Sequence, residues 1–81
     1  MNQDEKLLQM SEQEQILQFF VCGHLPGNLK NVSAAFGALA LDTIMATLPR
    51  NPERTVALRK LLESKDAAVR AALAKYIGER L

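Results

Sequence analysis

Side chains that carry chemistry are scarce in this chain: one cysteine, one histidine, one tyrosine and no tryptophan. The lone Cys22 excludes an intramolecular disulfide. With only His24 beside it, a structural zinc site lacks ligands. No Walker, GxSxG or HExxH motif is present, so catalysis is not expected. Aromatic residues make up 5% of the chain, too few to interleave with bases along a strand. Ten Lys and Arg face nine Asp and Glu, leaving a net charge of only +1. A duplex reader normally carries a basic excess on one face, so no duplex nucleic acid partner is expected. No apolar run reaches the length of a bilayer crossing, which argues against a membrane partner. The start, Met1-Asn-Gln-Asp-Glu-Lys6, has neither the basic head nor the apolar centre of a secretory signal. That start predicts a cytoplasmic protein.

What is abundant is apolar surface. Of 81 residues, 48% are hydrophobic, in a chain with room for one domain, 1–81. Chains this short bury a small fraction of their surface and often need a staple to be stable. Without metal or disulfide, self-association is the remedy that remains.

The patterning is helical throughout, with no alternating strand signal. Residues 1–10 are polar and read as frayed or weakly helical. Ser11-Glu-Gln-Glu14 spells a capping box, which predicts a short helix from Glu12 to Cys22 presenting Ile16, Leu17, Phe19 and Phe20. Gly23 suits the left-handed residue that ends a helix. His24-Leu25-Pro26-Gly27 reads as a connector. A long helix is predicted from Asn28 to Thr47 or Leu48, apolar on two faces. One face holds Leu29, Val32, Phe36, Leu39 and Thr43; the other holds Ala34, Leu41, Met45 and Leu48. A helix apolar nearly all round is buried on most sides, which assigns the second face to another copy. Pro49 stops this helix, Asn51 is a natural N-cap, and Pro52 and Glu53 suit a first turn. The last helix then runs from Pro52 to about Glu79, with a stripe of Leu58, Leu61, Leu62, Val69, Ala72, Leu73 and Tyr76. Two long helices and a short link predict an antiparallel helical hairpin. The expected fold is all-α: a short N-terminal helix, then the hairpin, assembled into a homo-oligomer.

Few residues are candidates for chemistry. Cys22 and His24 stand two apart, a spacing that suits a loop nucleophile and base, but no third orienting group accompanies them. Cys22 follows Phe-Phe-Val and reads more simply as a small buried apolar residue. His24 either hydrogen-bonds a ligand or is satisfied by backbone. Phe19 and Phe20 are core residues or base-stacking platforms, with Phe20 nearer the His24 turn. Asp42 interrupts an apolar helix and, if buried, needs Arg54, Arg59 or Lys60 as a partner. Gly37 in mid-helix costs about 1 kcal/mol relative to Ala, which a close backbone approach would offset. Asp66 and Arg70 are spaced for a helix-surface pair. Lys65 breaks the last apolar stripe, either snorkelling or pointing into a pocket. Arg54, Lys60, Lys65 and Arg70 make a solvated face, or, if copies bring them together, a phosphate site.

The stretch Pro49 to Glu63 resembles the helical hairpin domain of small phage proteins that sequester cyclic nucleotide signals, the anti-CBASS and anti-Thoeris sponges. The resemblance spans about residues 20–75. It rests on His24 and Pro26, then Pro49, Glu53, Ala57, Leu58, Lys60, Leu61 and Glu63, with no gap from Pro49 onward. Gly23 stands where the family often has Tyr, and Ala67 stands near its Trp. The resemblance implies a homo-oligomer, often a hexamer, with sites between protomers. It implies tight binding, without cleavage, of a cyclic oligonucleotide or a cyclic ADP-ribose-type signal, in a host bacterial cytoplasm if the chain is phage-encoded. The ligand-binding residues are then Phe20, His24, Pro26, Arg54, Lys60, Lys65 and Arg70, with Phe20 in place of the family's Tyr and no cofactor. Two rival readings are a helical protein–protein interaction module and a helix-turn-helix DNA binder. The near-neutral charge and the two-proline turn disfavour the second.

Overall fold

A computed structural model describes the backbone of residues 1–80 and the side chains of residues 1–74. The described residues are mostly helical, with no strand among them. The elements are α1 (Gln3–Met10), a 3-10 helix (Gln15–Phe20), α2 (Gly27–Leu39) continued by a π-helical stretch (Ala40–Met45), and α3 (Pro52–Arg80).

Residues 1–10, expected to be frayed or weakly helical, carry a helix over Gln3–Met10. Asn2 Oδ1 accepts from the Glu5 N–H at 2.8 Å, and Glu5 Oε1 accepts from the Asn2 N–H at 3.5 Å. This reciprocal cap, with Asp4 and Glu5 at the positive end of the dipole, starts a regular helix. Tertiary contacts then hold it. Leu7 is fully buried, and Gln3 Nε2 donates to the Ala34 carbonyl at 3.1 Å. Asp4 accepts from the backbone N–H of Cys22 at 3.1 Å and of Gly23 at 2.8 Å.

The second capping signal, at Ser11, is not used. Ser11 caps the end of α1, donating its hydroxyl to the Leu8 carbonyl. Glu14 is instead drawn inward by Arg54 and Thr55, so the helix expected over 12–22 contracts to the 3-10 turn of Gln15–Phe20. Gly23 does not take the left-handed conformation; among the described residues Gly27 does, at φ 31°, where α2 begins.

The long middle helix forms as expected, but its buried face differs. Ser33, Gly37, Ala40, Leu41, Ile44 and Met45 point inward. Leu41 and Met45 therefore belong to the core and not to a free second face, whereas Leu39 and Leu48 are exposed. Asp42 is exposed and makes no ion pair among the described residues, so it is not the buried carboxylate the sequence suggested. A Cβ on Gly37 would collide with the Gln3 side-chain amide and touch Leu7 at 3.5 Å. The groups crowding Gly37 within the chain are the Gln3 and Leu7 side chains of α1.

Asn51 caps α3 as expected, its Oδ1 accepting from the Arg54 N–H at 2.9 Å. Leu58 is fully buried and Ala57, Leu61 and Leu62 pack on the core, while Leu73 is exposed. The expected place of Tyr76 in this stripe lies outside the described side chains. The core joins Leu7, Ile16, Leu17, Phe20, Ala40, Leu41, Ile44, Met45 and Leu58, so every helix contributes to it.

Candidate functional site

A groove of about 530 Å³ opens where α1, the 3-10 helix, the connector and α3 meet. That volume falls within the range of small-molecule sites. Leu8, Phe19, Val21, Leu25 and Val69 supply its apolar wall, and His24, Lys65, Asp66 and Arg70 supply its charge and hydrogen-bonding groups.

Each of these positions has a local cause. The connector that carries His24 is pinned by Asp4, which takes up the Cys22 and Gly23 amides and leaves the imidazole exposed. Phe20 fills the core completely, and this turns its neighbour Phe19 outward, at 58% exposure, onto the groove. Lys65 lies with its side chain only 12% exposed and its Nζ 2.8 Å from Asp66 Oδ1. Its stem is packed, as snorkelling requires, but its head is held by a carboxylate and not by water alone. The Asp66–Arg70 pair expected from spacing is replaced by this Lys65–Asp66 contact.

Of the sequence-predicted site residues, the fold brings His24, Lys65 and Arg70 into one groove. Phe20 has no exposed surface and cannot stack on a ligand; the available ring is Phe19. Its larger distance from the His24 turn in sequence hid it, whereas helical phasing against the buried Ile16, Leu17 and Phe20 was the signal that could have found it. Arg54 is 7% exposed and pairs with Glu14 at 3.3 Å, so its guanidinium serves the interior. It also stands eleven residues before Lys65 on α3, roughly 16 Å along the axis. Lys60 is exposed and does not line the groove. Pro26 borders a smaller hollow with Gly27, Asn28, Leu29 and Leu73. Asp66, which its spacing from Arg70 marks as a surface partner, lines the groove with both cations and contacts Lys65.

Cys22 is not set up as a nucleophile. Its side chain is buried, and burial together with the Asp4 carboxylate pushes the thiol above its ordinary pKa, against a weaker pull from Lys30 and Lys65. The thiolate is the reactive form. Alkylation of Cys22 in the folded protein is therefore expected to be slow at pH 8 compared with the denatured chain, and to rise only at more alkaline pH. A stopped time course with a chromogenic disulfide reagent measures it; equal rates folded and denatured would contradict the buried setting.

No protein-family model, curated protein or solved structure matches this chain. No helix among the described residues is long and apolar enough to cross a membrane. No cluster of three metal-ligating side chains occurs among them either.

Proposed function

We propose that this chain is a sponge for a cyclic nucleotide messenger, binding a cyclic oligonucleotide or cyclic ADP-ribose-type signal and holding it uncleaved, as phage immune-evasion proteins of the hairpin type do. The observation that carries the reading is the meeting of Phe19, His24, Lys65 and Arg70 in one groove. Arg70 offers paired donors for a phosphate, Lys65 a point charge, His24 a hydrogen bond and Phe19 a ring face for a base. In this reading α2 and α3 form an antiparallel hairpin, and copies of it assemble into a homo-oligomer, a hexamer in analogy with that family. Beyond Leu58 every described residue of α3 is half-buried or exposed, which leaves that half of the helix available to another copy.

The test is equilibrium dialysis against a panel of cyclic nucleotides, followed by denaturation and mass analysis of what is released. Intact ligand supports a sponge; a hydrolysed product overturns it in favour of an enzyme. Losing a charge-assisted hydrogen bond removes about 1.5–3 kcal/mol. Arg70→Ala is thus expected to weaken binding by about 10- to 100-fold, with the melting temperature of the unliganded protein little changed, because Arg70 is exposed.

A second reading, a protein–protein interaction module, draws on a separate observation. Leu39, Leu48 and Val56 are each more than two-fifths exposed and stand outside the groove. Mass in solution separates the two: a monomer at high concentration that ignores all nucleotides favours a foreign protein partner.

A further inference from the structure

The groove contains its own anion. Asp66 Oδ1 sits 2.8 Å from Lys65 Nζ, and both residues line the groove beside Arg70. Any phosphate that reaches Lys65 meets a cation already in contact with a carboxylate. We infer that Asp66 is a specificity-determining residue that selects singly charged phosphodiesters over doubly charged phosphomonoesters. The inference rests on the reading of this groove as a nucleotide site and adds the charge class of its ligand.

The titratable groups lining the groove are His24 from the connector and Lys65, Asp66 and Arg70 from α3. Two cations against one carboxylate leave a single positive charge in excess while His24 is neutral. One negative charge on a diester matches that excess. A monoester dianion brings a second charge, and that charge lies within a few ångströms of Asp66, where like charges repel strongly and are only partly screened. Lys65 has little freedom to escape the contact, because its side chain is 12% exposed. Asp66, at 46%, can swing aside, so a diester can share Lys65. The carboxylate thus acts as a resident competitor whose effect grows with the charge of the phosphate seated beside it.

The probes are adenosine 3′,5′-cyclic monophosphate and adenosine 5′-monophosphate, which share base and sugar and differ in phosphate charge. Titration calorimetry on the full chain at pH 8 is expected to show the cyclic diester bound more tightly. In Asp66→Asn the monoester should gain roughly tenfold and the diester less, which closes the gap. A second arm uses the unmodified protein. A phosphomonoester loses its second charge near pH 6, so at pH 5 the preference should collapse without any substitution. An unchanged diester-to-monoester ratio in Asp66→Asn, or a preference that persists at pH 5, overturns the role of Asp66 while leaving the groove reading intact. Binding of neither nucleotide by either protein overturns the groove reading and this inference with it.

Discussion

Glu14→Ala is expected to destabilise the protein by about 3–5 kcal/mol, because it strands a buried guanidinium. Arg54 is 7% exposed, and its Nη2 donates to Glu14 Oε1 at 3.3 Å while its Nη1 donates to the Leu48 carbonyl at 3.3 Å. Thr55 Oγ1 donates to the same carboxylate. Glu14 thus ties the loop after α1 to the first turn of α3, and Arg54 ties that turn to the end of the preceding helix. Without the carboxylate, the guanidinium must either stay buried and unpaired or pull out and leave a hole beside Leu58. In a domain of this size the loss corresponds to a fall in melting temperature of more than about 10 °C. Replacing both partners by Met should recover most of it, since two apolar side chains of similar volume avoid the desolvation of two charges. Thermal unfolding of Glu14→Ala and of the double variant measures both. A single variant within about 1 kcal/mol of the parent would show that the pair is not structural.

The second large effect separates two adjacent rings. Phe20→Ala removes a fully buried side chain from the centre of the core, and losses of this kind cost about 3–5 kcal/mol. Phe19→Ala removes a ring that is 58% exposed and is expected to change stability by less than about 1 kcal/mol. Its effect should fall on the ligand instead. A base that stacks on an aromatic gains about 1–3 kcal/mol, so binding should weaken by roughly tenfold or more. Denaturant melts and nucleotide titrations of the two variants form a complete cross-check. Similar stability losses in both, with no loss of binding in Phe19→Ala, would contradict the assignment of the rings.

These two adjacent rings also mark where the sequence was readable and where it was not. The long helices were legible because their signals are local: Pro49 as a stop, Asn51 as a cap, and an apolar stripe through Leu58 and Leu61. The short N-terminal elements were not, because tertiary contacts decide between competing local signals there. Ser11-x-x-Glu14 reads as a capping box, whereas the reciprocal cap forms at Asn2 and Glu5, in a stretch that reads as frayed or weakly helical. The Ser11 box is dismantled, because Glu14 finds Arg54 forty residues away. The same long-range pair removed Arg54 from the candidate site. His24, Lys65 and Arg70 were legible as separate candidates, Arg70 with Asp66 as a surface partner, but that they converge depends on the connector being held by Asp4, which no local pattern announces. Asp42, by contrast, was given too much weight: a carboxylate in an apolar stretch is costly only if it faces inward, and this one faces out.

The central claim is that one groove, bounded by Phe19, His24, Lys65 and Arg70, captures an anionic nucleotide. Titrating isotopically labelled protein with a cyclic dinucleotide, followed by amide chemical shifts residue by residue, tests it most directly. The largest shifts are expected at residues 19, 24, 65, 66 and 70, saturating together. Shifts centred on Lys60 and the first turn of α3, or a spectrum unmoved by every cyclic nucleotide tried, would contradict it.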